Sequence, residues 1–90
     1  MNMARVKVKL FANFREAAGV KEIELEGERV EDVLDSLVER FPQLGEMFYE
    51  GGTLRDYVHI MVNGRNVRGD LGYSLNDGDV VAIFPPVSGG

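Results

Sequence analysis

Few side chains in this 90-residue chain can do chemistry on their own. It contains no cysteine, which excludes a disulfide framework, a thiolate zinc site and a cysteine nucleophile. His59 is the only histidine, so neither a His-based acid/base pair nor a multi-His metal site can be assembled. Asn76-Asp77-Gly78-Asp79 has the start of a calcium loop, but the bidentate Glu that closes such a loop is missing at the required spacing. That segment reads as a turn, and Gly64 and Gly78 as turn glycines. What remains is the chain end, Gly89-Gly90. Without Cβ atoms, two glycines can lie extended in a channel too narrow for ordinary side chains. An enzyme can then reach the Gly90 carboxylate, activate it and exclude water.

The residues before the diglycine decide how it is held. Val80 to Phe84 alternates, with Val81 and Ile83 on one face and Ala82 and Phe84 on the other, and so reads as a strand. Pro85 lacks an amide hydrogen and ends it. Pro85-Pro86 is stiff and favours an extended path of about 3.1 Å per residue, so that Pro85 to Gly90 would reach roughly 15 Å from the body. Diglycine alone describes a frayed end at least as well, and Pro-Pro also suits an SH3-type ligand. The combination of a strand, the rigid spacer Pro85-Pro86-Val87-Ser88 and diglycine at the last two positions points to an arm built for presentation. The expected organisation is a body over residues 1–84 and a protruding tail over 85–90.

Several elements must position that arm. Arg5 to Phe11 alternates Val6, Val8 and Leu10 against Lys7, Lys9 and Phe11, the pattern of a half-buried strand. Asn13 to Gly19 reads as a short helical turn stopped by Gly19, with Phe14 and Ala17 facing inward. Val20 to Glu26 is a second strand with Ile23 and Leu25 between glutamates. The period then changes to 3.6: Val30, Val33, Leu34, Leu37, Val38 and Phe41 form one helical stripe, which Pro42 terminates. Its N-cap is weak, because neither Glu28 nor Arg29 is a preferred capping residue. Gln43 to Gly52 is irregular or short-helical, with a loop at Gly51-Gly52. Tyr57 to Val62 is a third strand, Asn63-Gly64 a hairpin turn, and Arg65 to Val67 a short fourth strand. The last strand follows the Asn76–Asp79 turn.

Strand, strand, helix and three further strands predict an α+β β-grasp. Its mixed sheet has about five strands and one long helix on one face. A ferredoxin-like sheet would need a second long helix. Phe11 and Phe84 both fall opposite the core-facing residues. They are ordinary surface scatter or a docking patch for the partner that receives the tail. His59 and Met61 belong to the same outer face, and the acidic helix face of Glu31, Asp32, Asp35 and Glu39 reads as a solvated surface.

Fifteen Asp and Glu against ten Lys and Arg leave a net charge of −5. That argues against nucleic acid, which needs a basic face, and favours partners with basic docking surfaces. No apolar run approaches the length of a membrane span, and the N-terminus carries no signal-peptide core. The expected location is cytoplasmic.

Three segments together resemble a known family: Leu10-Phe11-Ala12-Asn13-Phe14-Arg15-Glu16-Ala17-Ala18-Gly19, Asp77-Gly78-Asp79-Val80-Val81-Ala82-Ile83-Phe84, and Pro85-Pro86-Val87-Ser88-Gly89-Gly90. They are similar to the MoaD/ThiS family of ubiquitin-like sulfur carriers, and within it to small subunits of molybdopterin synthase (molybdopterin converting factor subunit 1). The resemblance implies that a ubiquitin-activating-type enzyme adenylates Gly90 with ATP, and that the adenylate becomes a thiocarboxylate. The tail would then enter the large subunit of molybdopterin synthase and give its sulfur to a pyranopterin precursor of the molybdenum cofactor. Gly89 would keep the channel narrow, and Phe84 with its outer-face neighbours, Phe11 and residues 85–88, would dock the partners. The chain itself would bind no metal or cofactor, and acid and base groups would come from the partners. The stretch from Pro42 to Tyr57 is longer than in the shortest members, which disfavours a thiamine-pathway carrier. The same stretch resembles archaeal small modifiers attached to lysines of target proteins.

Overall fold

The computed structural model describes residues 3–67 and 69–85. The alternating run near the N-terminus forms β1 (Ala4–Leu10), with Ala4, Val6, Val8 and Leu10 buried. A seven-residue helix α1 (Ala12–Ala18) follows and ends on Gly19, whose φ of 79° closes it in the left-handed conformation. Strand β2 (Glu22–Gly27) returns antiparallel to β1, pairing Ala4 with Gly27 and Lys9 with Glu22.

The long helix α2 (Val30–Arg40) buries Val30, Val33, Leu34 and Leu37 completely. Its start is secured in a way the local sequence does not show. The Asp32 carboxylate accepts hydrogen bonds from the Glu28 and Arg29 amides at 2.9 and 3.0 Å. The next two amides, of Val30 and Glu31, donate to the Tyr73 and Leu71 carbonyls at 3.0 and 2.9 Å. A loop some forty residues downstream thus takes the place of a capping side chain. The four acidic residues are therefore not one solvated surface: Glu31, Asp35 and Glu39 are exposed, whereas Asp32 is half-buried and caps the helix.

Pro42 opens a second short helix, α3 (Gln43–Phe48), which buries Leu44 and Phe48. The Phe48 ring meets Phe14 of α1 edge to face at 5.0 Å. The expected loop at Gly51-Gly52 is the turn of a small hairpin, β3 (Tyr49–Glu50) with β4 (Thr53–Leu54), forming a sheet of its own. Both glycines have positive φ, 59° and 83°, which makes so tight a reversal possible. Arg55 anchors this hairpin by donating to the Glu46 carbonyl at 3.0 Å and to Glu50 at 3.3 Å.

Strands β5 (His59–Val62), β6 (Arg65–Asn66) and β7 (Val80–Phe84) complete the main sheet. Its order is β2-β1-β7-β5-β6, with β1 and β7 parallel and the other neighbours antiparallel. Helix α2 covers one face. This is the β-grasp, ubiquitin-like arrangement: α1 is the helical turn expected before Gly19, α3 falls in the stretch expected to be irregular or short-helical, and the β3–β4 hairpin is the addition.

Candidate functional site

Strand β7 holds the middle of the sheet, bonded to β1 on one side and β5 on the other. Residues leading to the tail are therefore fixed from both sides, and Pro85 follows directly after Phe84. The tail residues Pro86, Val87, Ser88, Gly89 and Gly90 lie outside the described residues.

The pairing register lays out the uncovered face of the sheet. Leu10 pairs with Ile83 and Lys9 with Ala82 across β1 and β7. His59 pairs with Phe84 and Met61 with Ala82 across β5 and β7. Because side chains alternate along each strand, Phe11, Phe84 and His59 form one row nearest the tail. Lys9, Ala82 and Met61 form the next. Val81, Ile83, Ile60, Val62, Val8 and Leu10 point the other way and are buried.

Phe11 stays on the outer face because its backbone is still extended (φ −129°, ψ 153°). Ala12 then adopts φ 51°, a left-handed conformation that is uncommon outside glycine, and turns the chain into α1. The Phe11 and Phe84 rings stack with centroids 4.3 Å apart and planes within 10°. Phe11 remains 36% exposed even with this stack. The two aromatics that the sequence placed on a common face are one platform at the root of the tail. Pro85 beside them is half-buried.

Charge is graded across the same face. Arg5 lies 3.5 Å from Glu24 and 3.6 Å from Glu26, and Lys7 lies 3.6 Å from Glu22. These exposed pairs add little to stability, but they neutralise the β1–β2 half of the face. Lys9 is half-buried and, among the described residues, makes no ion pair.

The Asn76–Asp79 turn spends its polar groups internally. Asp77 accepts from the Arg5 amide at 2.9 Å. Asp79 accepts from the Asn76 amide and from the Asn63 side chain, both at 2.8 Å. Asn63 in turn accepts from the Val80 amide at 2.9 Å. The turn therefore aligns the start of β7 with β1 and with the β5–β6 hairpin. Burial first, then Asp35 and Glu31, hold the Tyr49 phenol above its ordinary pKa. Sequence reasoning named the aromatic pair, His59 and Met61. It did not identify Asp32 as a cap, or Lys9 as the β1 cation left unpaired by the β2 glutamates among the described residues. Alternation puts three cations of β1 directly opposite three glutamates of β2, and only the side-chain reach of Arg5 and Lys7 shows which cation is left without a partner.

Comparison with known proteins places this geometry. The ThiS family model matches residues 8–90. Small archaeal modifier protein 3 of Haloferax volcanii is 37% identical over 94% of this chain and 98% of its own. The molybdopterin synthase sulfur carrier subunit of Chlamydomonas reinhardtii is also 37% identical, over 96% of this chain and 99% of that subunit. The solution structure of small archaeal modifier protein 1 from Methanosarcina acetivorans superposes with a TM-score of 0.90 at 47% identity, covering all of both chains. With its β-grasp fold and a family match that runs through Gly90, the chain belongs to the ThiS/MoaD family of ubiquitin-like sulfur carriers and modifiers.

Proposed function

We propose that the chain is a sulfur carrier for molybdopterin synthesis and that its reactive group is the Gly90 carboxylate. The observation that carries this reading is the position of β7: a strand held on both sides in the middle of the sheet ends beside an aromatic platform, and the sequence continues through Pro85 toward the diglycine. Residues 1–84 then act as the body, and 85–90 as the arm that enters a partner.

The chemistry follows from the poor leaving group on a free carboxylate. Attack of the Gly90 carboxylate on the α-phosphorus of ATP, inside an adenylating partner, releases pyrophosphate and forms an acyl adenylate. A sulfide-level sulfur nucleophile then adds to the acyl carbon and expels AMP, leaving a thiocarboxylate. In the large subunit of molybdopterin synthase, that sulfur attacks a carbon of the pterin precursor and displaces an oxygen substituent, forming a thioester. Water then cleaves the acyl carbon–sulfur bond, which leaves the thiol on the pterin and returns the Gly90 carboxylate. This chain supplies orientation and narrowness. Gly89 lets the tail pass a tight channel, residues 85–88 set its reach, and Phe11 and Phe84 dock the body.

A second reading shares every step up to the adenylate. In it, a lysine amine of a target protein replaces sulfur as the nucleophile and an isopeptide bond forms. The 47% identity and 0.90 TM-score to small archaeal modifier protein 1 favour it. Sulfur carriage stands first because the 37% identity to the Chlamydomonas subunit extends the likeness beyond archaeal proteins. Deletion of Gly90 separates tail chemistry from a plain interaction domain. The shortened chain should fold normally and fail to restore molybdopterin synthesis in a host lacking the gene. Full restoration, or loss of folding, contradicts the proposal.

A further inference from the structure

We infer that the adenylating partner covers the open sheet face and presents a carboxylate to Lys9. The inference rests on the docking role given to that face above, and it specifies the chemistry of the occupant.

The argument starts from register. Lys9 neighbours Ala82 across the β1–β7 pair, a strand spacing of about 4.8 Å. Phe11 is two residues further along the same face, about 6.6 Å away. Lys9 is therefore built into the edge of the aromatic platform, and any surface that seats on Phe84, Ala82 and Met61 closes over its amine or borders it. Closing over an ammonium group removes its water, which is strongly unfavourable unless an acceptor replaces it.

This chain offers no such acceptor among the described residues. Glu22 lies opposite Lys9 in the β1–β2 register, yet its carboxylate is 3.6 Å from Lys7 instead. Glu24 and Glu26 are both engaged by Arg5. The ladder is thus matched at the end far from the tail and left one carboxylate short at the end beside it. The net charge of −5 does not oppose this. On this face three cations meet three glutamates, so the excess acid lies elsewhere, notably on Glu31, Asp35 and Glu39 of α2. A partner that is basic overall can still place one Asp or Glu against Lys9, and that pairing would fix its orientation on the sheet. The remaining polar group of the platform, His59, sits in the outer row and cannot serve Lys9 as a counter-charge.

The test uses the full chain with the ATP-dependent adenylating enzyme of its host. A water-soluble carbodiimide joins amines to carboxylates without a spacer, so peptide mapping of the treated complex reads the contact directly. The expected product links Lys9 to an Asp or Glu of the enzyme. Lys7, already paired, and Lys21, in register with the inward-facing Leu10, should give little. Lys9→Met should weaken binding about five- to tenfold and flatten its salt dependence, while Lys9→Arg keeps affinity and Lys21→Met changes nothing. A complex that forms with no Lys9 cross-link, or Lys9→Met binding with unchanged affinity and salt dependence, overturns the inference. If Phe84→Ala weakens binding in that same experiment, the docking face survives and only the Lys9 carboxylate fails. If Phe84→Ala also binds normally, the docking face itself is refuted.

Discussion

Phe84→Ala paired with Ile83→Ala gives a sharp division between docking and folding, because adjacent residues on β7 face opposite ways. Ile83 is fully buried, between β1 and β5 partners on the core side. Removing its side chain should destabilise the fold by about 2–5 kcal/mol, through lost burial and the cavity left behind. Phe84 is half-buried and stacks on the Phe11 ring. Losing that stack removes about 0.5–1.5 kcal/mol, with a small further loss of buried area, so the total should stay near 1–2 kcal/mol. For partner binding the ranking reverses. An aromatic anchor at the centre of an interface contributes about 2 kcal/mol or more, which is about a 30-fold loss of affinity. Urea unfolding followed by circular dichroism measures the first quantity, and calorimetric titration with the adenylating enzyme measures the second. Phe84→Ala should stay folded and bind poorly, whereas Ile83→Ala should bind normally once corrected for its folded fraction. Equal affinity of Phe84→Ala and the natural chain, alongside the expected small stability change, would refute the platform as a docking site.

Three further outcomes concern the scaffold. Asp32→Ala removes the acceptor of two amides at the start of α2 and should lower stability by about 1–2 kcal/mol in urea titration. Gly27→Ala places a Cβ 2.9 Å from the Asp32 Cβ and 3.5 Å from Val33. The helix fixes both neighbours, so about 1–3 kcal/mol should be lost by the same assay. The Tyr49 phenol is held above its ordinary value, so above about pH 10 the unfolded chain releases this proton while the folded chain keeps it. The folded state then binds more protons and stability falls as pH rises, with no effect at neutral pH. Tyr49→Phe should flatten this alkaline decline in thermal unfolding between about pH 9 and 11.

The fold was legible where a single period governs an element. Val30 to Phe41 repeats at 3.6 and β1 at 2.0, and each became the element its period demands. Alternation alone also placed Phe11, Phe84, His59 and Met61 on one face. The hairpin of β3 and β4 was not legible, because two residues per strand cannot display a period. Nor was the cap of α2, since Leu71 and Tyr73 reach it only after the chain has folded back. Lys9 looked like one of three equivalent cations until the register showed which glutamate each engages. The ion-pair pattern is a tertiary fact, read from side-chain reach rather than from spacing.

The central claim is that chemistry resides on the carboxylate of Gly90, and mass spectrometry of the protein from its native host tests it most directly. A population in which one terminal oxygen is replaced by sulfur is the predicted result. Gly90 found only in isopeptide linkage to lysines of other proteins would move the function to the modifier reading. A Gly90 that carries neither sulfur nor a conjugate, in cells actively making molybdopterin, would contradict the account.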